Sequence, residues 1–226
     1  MGQEIVDMFN DISVSYDKIN LLLSFGQDRN WRKKMAGLIP PKKGLSHLDL
    51  ATGTGDQILS LWQASSNLER SVGIDPAEKM LAIAKQKLKG LNAEFQVGFA
   101  EKIPYPETSF DLVTISFGIR NTENPLLALQ EMHRVLKPGG RALILEFSLP
   151  SKPIIKAAHL FYLRNFVPFI GGLFSKSPSS YRYLNESIEK FPYGSAFLNW
   201  MDKTGFKNTK TYPLTFGAVS IYSGDK

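Results

Sequence analysis

The stretch "HLDLATGTGDQI", residues 47–58, is an apolar run that breaks at paired glycines and resumes as a helical pattern. Gly53 and Gly55 allow a tight strand-to-helix turn and let a ligand approach the backbone. Outward from this turn, short β-like runs alternate with amphipathic helical runs, which predicts a mostly parallel sheet. Strands are expected at 46–51, 70–75, 93–98, 109–117 and 141–147, and helices at 56–64, 76–90 and 124–137. Pro76 suits a first helical turn and Gly90 a helix end, while "PGG" at 138–140 closes the third helix. The fold class is therefore α/β: a Rossmann-like, doubly wound sheet with an antiparallel edge strand, flanked by helices. Four parts are expected: a helical cover over 1–44, a ligand-binding core over 45–148, a lid over 149–192, and a helix with two β-like runs over 193–226.

In such a sheet the ligand sits at the carboxyl ends of the strands, beside the first turn. A dinucleotide fingerprint needs a third glycine where Ile58 stands, and no Gly-Lys-Ser/Thr triplet marks a P-loop. Asp75 ends the second strand, where a carboxylate accepts both ribose hydroxyls of an adenosine. Ribose recognition without a phosphate cradle points to S-adenosylmethionine (SAM). Asp49, just before the turn, either orders the loop or faces the cofactor's amino group.

Composition sets further bounds. The 226 residues carry no Cys, three His and a net charge of +6, with 43% hydrophobic residues. Disulfides, thiolate nucleophiles and Cys-ligated metals are thereby excluded. The three histidines have no partner at ligand spacing, so no metal is expected, and all three are set aside. Basic residues are dispersed without an aromatic-interleaved cluster, which argues against nucleic acid. They favour solubility or attraction to an anionic membrane surface. The acidic N-terminal stretch "MGQEIVDMFNDIS" has no apolar signal-peptide core, so a cytoplasmic protein is expected.

Four longer segments carry a resemblance to the ubiquinone/menaquinone biosynthesis C-methyltransferases. "RVLKPGGRALILEFS" (134–148) resembles a signature of that family, and "SFGIRN" (116–121) its segment after the fourth strand. "YRYLNESIEKFP" (181–192) and "YDKINLLLSFGQDRNWR" (16–32) resemble two further motifs, so the likeness spans nearly the whole chain. Departures occur at Ile19 for Met, Asp28 for His, Phe99 for Asp or Asn, and "LTFG" for "LTGG". The resemblance implies SAM as cofactor, with Thr54, Asp75 and Ser116 lining its site. With Phe99 in place of the polar residue, the backbone of Ala100 is left to meet the adenine. The reaction implied is methyl transfer to a ring carbon of a polyprenylated hydroquinone, as in demethylmenaquinol to menaquinol or the corresponding methoxy-benzoquinol.

The methyl of a sulfonium is already activated, so such an enzyme supplies alignment and a competent carbon nucleophile. Loss of the hydroxyl proton pushes electron density onto the ortho carbon, which calls for a base or a phenolate stabiliser. Arg120 is placed to stabilise the phenolate and Asn121 to orient a ring oxygen; the competing reading for Arg120 is a surface ion pair. Tyr181 and Tyr183 line the ring pocket or pack. Tyr16 and Asp17 close over the cofactor or pack, and Glu146 is a water-linked base or half of a buried ion pair. The aromatic segment 154–175 is too interrupted to span a bilayer. It reads as a lid that shelters a prenyl tail and touches the membrane's inner face, or as a domain cover or homodimer interface. Rival readings are methylation of another small apolar acceptor, and a SAM-binding assembly protein without catalysis.

Overall fold

The structure is a computed structural model that describes residues 2–168 and 178–226, excluding the side chains of 178–183. Two helices, α1 (Gln3–Leu23) and α2 (Gln27–Ala36), precede the sheet. The core alternates β1 (Leu45–Leu50), α3 (Asp56–Ala64), β2 (Leu68–Asp75), α4 (Glu78–Lys87), β3 (Ala93–Val97), β4 (Phe110–Ser116), α5 (Pro125–Val135) and β5 (Leu136–Phe147). Then come α6 (Pro153–Phe161), continued by a π-helical turn over Tyr162–Phe166, α7 (Pro178–Lys190), α8 (Ser195–Lys203), β6 (Lys207–Leu214) and β7 (Val219–Asp225).

Seven strands form one sheet in the order β3-β2-β1-β4-β5-β7-β6. The first five are parallel, and β7 runs antiparallel between β5 and β6. The expected mostly parallel sheet with an antiparallel strand toward one edge is present. Strand order reverses between β1 and β4, which opens a crevice beyond their carboxyl ends.

Helices cover the sheet on both faces, and β1 and β4 are buried along almost their whole length. On one face Leu48, Leu50, Ile74, Val113 and Ile144 meet α5 and α8 through Met132 and Phe197; on the other Leu45, Leu112 and Leu143 meet Trp31, Met35 and Leu61. A polar string also threads the sheet. Trp62 Nε1 donates to Ser71 Oγ at 3.0 Å, His47 bridges Ser71 and Thr114 at 3.0 and 2.8 Å, and Thr114 donates to Asp49 at 2.5 Å. Because Thr114 gives its proton to Asp49, His47 Nε2 carries the proton toward Thr114. Burial holds the His47 ring down at about 3, so it is a neutral structural link.

One detail differs from the sequence reading. The "KPGG" stretch does not close α5. Leu136 already pairs with Phe110 and Arg141 with Leu112, so 137–140 is a bulge extruded within β5. Gly139 takes φ +77° there, and a Cβ on Gly140 would lie 2.9 Å from the Lys137 carbonyl oxygen. The lid segment is continuous helix from Pro153 through the π-turn as far as Pro168; Phe169 and Phe174 lie outside the described residues. Its inner face buries Leu163 and Val167 against Ile19, Leu149 and Ile188. Its outer face leaves Ile154 and Phe161 86% and 70% exposed.

Candidate active site

The glycine turn is held by carboxylates on two sides. Gly53 and Gly55 have φ of +55° and +82°, in the left-handed region. Asp75 Oδ2 accepts the Gly53 N–H and Oδ1 the Ala77 N–H, both at 2.8 Å. Each oxygen keeps a lone pair for a further donor. Burial pushes the Asp75 carboxyl up to about 6, offset in part by those two backbone donors. Asp49 is also raised to about 6 by burial, and its two oxygens accept the hydroxyls of Thr114 and Thr52. Asp49 therefore orders the loop from beneath.

The two glycines do different jobs. A Cβ on Gly53 would meet nothing within 4 Å, so the backbone there borders open space. A Cβ on Gly55 would sit 2.5 Å from Leu88 Cδ1; Gly55 lets α4 pack, the part assigned in a dinucleotide fold to the third glycine. Thr54 is buried and donates to Asp17 of α1 at 2.6 Å, and Asp17 in turn pairs with Lys87 at 2.6 Å. The N-terminal helix is thus fastened directly to the loop.

Two cavities meet above the strand ends. The smaller, about 30 Å³, lies among Ala51, Gly53, Asp75, Ser116 and Phe117, with Phe9 and Tyr16 of α1 on its outer side. Ala51 and Phe117, both in its lining, carry φ of +48° and +58°, the kind of local strain that clusters at functional sites. The larger, about 330 Å³, is mostly apolar and is lined among others by Phe25, Arg120, His159, Tyr162 and Leu163. Phe9, Tyr16, Phe117 and Asn121 border both. Asp49, Thr54, Gly55 and Ala100 stand outside the lining of either cavity. Phe99 is 41% exposed, so its departure from the family pattern falls at the surface. Asp28 lines the larger cavity, its carboxylate accepting the Ser24 hydroxyl at 2.9 Å.

Arg120 is not at the surface. Its Nη1 donates to Glu146 Oε1 and to the Phe117 carbonyl, both at 2.7 Å, with side chains only 6% and 1% exposed. The guanidinium carbon lies 5.1 Å from the Phe147 ring centre. Glu146 also accepts the Phe147 N–H at 2.9 Å, so it is the buried half of an ion pair. Asn121 Nδ2 lies 3.4 Å from the Phe117 carbonyl oxygen. Tyr181 and Tyr183 fall on α7, with side chains outside the described residues. His159, set aside on the sequence, lines the larger cavity; its Nε2 is buried without a hydrogen-bond partner, and burial holds the ring below the ordinary histidine value. Helical spacing alone hides such a residue. Among the described residues no cluster of His, Asp or Glu has the spacing of a metal site.

The sequence pattern of the ubiE/COQ5 methyltransferase family matches residues 1–226. The chain belongs to the ubiE/COQ5 methyltransferase family. It is accordingly a SAM-dependent methyltransferase. It is 43% identical to the ubiquinone/menaquinone biosynthesis C-methyltransferase of Geobacter sulfurreducens, over 100% of this chain and 89% of that one. It is also 43% identical to the demethylmenaquinone methyltransferase of Thermus thermophilus, over 97% of this chain and 100% of the other. Among solved structures, a SAM-dependent methyltransferase of Thermotoga maritima, titled a possible histamine N-methyltransferase, shares the fold at TM-score 0.69 and 18% identity, covering 97% and 99% of the two chains. One from Aquifex aeolicus does so at TM-score 0.64 and 19% identity, covering 92% and 96%. The open space over Gly53 and the lone pairs left on Asp75 fit a ribose.

Proposed function

We propose that the chain methylates a ring carbon of a polyprenylated hydroquinone, converting demethylmenaquinol to menaquinol or the corresponding methoxy-benzoquinol. One observation carries this reading: a largely apolar cavity of about 330 Å³ shares walls with the cleft at the glycine turn, with Asn121 bordering both and Arg120 lining the larger. An isoprenoid-bearing ring needs such a greasy chamber beside the cofactor, and the named relatives act on quinone precursors.

Bound SAM supplies the electrophilic methyl group. Asp75 holds the ribose hydroxyls, with Gly53 giving backbone access. Arg120, locked by Glu146 and the Phe117 carbonyl, presents a fixed positive charge to the ring oxygen that becomes phenolate, stabilising it without reorganisation. Asn121 orients that oxygen. Neutral His159 offers a hydrogen-bond partner within the same chamber, and the half-buried phenol of Tyr16, its pKa raised by desolvation, stays protonated as a donor. Methyl and carbon are aligned by the shared walls, the source of most rate gain in such displacements.

The rim of the chamber fits a lipid surface. Phe25 is 69% exposed and its ring lies 6.4 Å from that of Phe166 and 6.1 Å from that of Tyr162. With Phe161, Lys152 and Lys156 on the adjoining helix, this is an apolar, basic edge of the kind that docks in a bilayer interface. Among the described residues no helix is long and apolar enough to cross a membrane.

The test is direct. Purified chain and isotope-labelled SAM are supplied with vesicles carrying demethylmenaquinol, the benzoquinol analogue or an unprenylated phenol, and products are read by mass spectrometry. A labelled quinone is expected from the prenylated acceptors. Label only in the phenol, or in no acceptor, refutes the reading.

A further inference from the structure

Behind the wall between the two cavities sits a pair of polar groups that the proposed chemistry leaves unused. Arg32 of α2 is 8% exposed, and Gln57, in the first turn of α3, is 1% exposed. Arg32 Nη1 donates to Gln57 Oε1 at 3.3 Å, and Ser116 Oγ donates to the same oxygen at 3.0 Å. Two donors on one oxygen fix the orientation of the amide, so Nε2 is its other end. That Nε2 and Arg32 Nε are both buried without a hydrogen-bond partner. Among the described residues no carboxylate lies within ion-pair distance of Arg32; Asp49, the nearby acid, already spends both oxygens on Thr52 and Thr114. The guanidinium carbon stands 5.6 Å from the Phe117 ring centre.

Two buried, unpartnered donors beside the N-terminus of a nine-residue helix make a place for an anion with two acceptor oxygens. Each donor is a cost to the folded chain until an acceptor arrives. Arg32 lines the larger cavity and Ser116, bound to Gln57, lines the smaller, so the pair abuts both. A prenylated hydroquinone carries no carboxylate, whereas the amino-acid end of SAM does. We infer that Arg32 and Gln57 receive the carboxylate of the cofactor's methionyl end, fixing which way the sulfonium methyl points. The inference rests on SAM occupying the cleft at Gly53 and Asp75. Sequence reading passes over the pair, because Arg32 reads as one basic residue among several and Gln57 as an ordinary helix residue.

The experiment is calorimetric titration of the full chain with SAM and with decarboxylated SAM, without acceptor. Wild type is expected to bind SAM at least tenfold tighter than the decarboxylated form. Arg32→Met and Gln57→Leu should bring that ratio toward one while leaving affinity for the decarboxylated form nearly unchanged, a pattern that general unfolding does not give. Should Arg32→Met fail to fold, Gln57→Leu carries the test alone. A ratio unchanged in the variants overturns the inference, while quinol methylation by wild type still stands, so the two failures are distinguishable. Wild type that binds neither compound removes both.

Discussion

Replacing Glu146 by Gln separates the structural and chemical roles of the buried ion pair. The Nη1–Oε1 distance of 2.7 Å puts the charge centres roughly 4 Å apart, an attraction of about 4 kcal/mol at an effective dielectric near 20. Glutamine still offers Arg120 a neutral acceptor, which returns about 1 kcal/mol. The net loss is about 3 kcal/mol, at the low end of the 3–5 kcal/mol observed when one member of a buried pair is removed. For a chain of 226 residues that lowers Tm by about 6–12 °C. Thermal and urea unfolding of Glu146→Gln, Arg120→Met and the double variant Arg120→Met/Glu146→Gln supply the measurement. The double variant should be clearly more stable than the two single losses added together, because no lone charge stays buried. It should also be inactive, with SAM affinity retained. A cost below about 1 kcal/mol for Glu146→Gln, or strict additivity, would show that water reaches the pair and that Arg120 is not preorganised.

Three more predictions follow from the geometry. Gly118→Ala places a Cβ 2.4 Å from that of Ala51, so about 1–3 kcal/mol of stability should be lost, together with turnover, by denaturant titration and assay. Asp75 must be ionised to accept ribose hydroxyls. With its carboxyl at about 6, SAM affinity measured by calorimetry should fall as pH drops below 6, and Asp75→Asn should weaken binding by about 1.5–3 kcal/mol at neutral pH. Stability has two opposed pH windows. The raised values of Asp49 and Asp75 mean that the folded chain holds those protons more tightly than the unfolded one. Their contribution is therefore full below about 3.8 and lost as pH rises through 6. Asp111 is the reverse: burial opposes it, but bonds from Lys137, Lys42 and the Ser46 N–H bring it to about 2, so its contribution stands above 3.8 and disappears toward 2. Unfolding curves of Asp111→Asn against wild type should converge as pH approaches 2; parallel curves would remove the lysine cluster from the ledger.

Much of the sheet was legible because short β-like runs alternate with amphipathic helical ones: Leu48 and Leu50 in the run at 46–51, and Phe110, Leu112, Val113 and Ile115 in that at 109–117, are buried in the strands expected there. The bulge at 137–140 was not, since Pro and Gly end helices and kink strands alike, and only the pairing of Leu136 with Phe110 tells the two apart. Asp75 and Gly53 came together at the crevice as strand order dictates. Arg120 lies beside the larger cavity; a buried ion pair was one reading of Glu146, but nothing in the sequence named Arg120, 26 residues away, as its partner. Long-range polar partners leave no periodic trace. His159, Arg32 and Gln57 escaped for the same reason: each is unremarkable among its neighbours in sequence and distinctive only in what it lacks in space.

Tyr16 borders both chambers, and its helix is bolted to the glycine turn through Asp17 and Thr54. A nucleoside seated over Gly53 lies against Tyr16, and that side chain is also a wall of the neighbouring chamber. Thermodynamic reciprocity then applies: whatever factor the first guest adds to the affinity of the second, the second returns to the first. Cofactor and quinone therefore meet across one side chain, and any coupling between them runs through Tyr16.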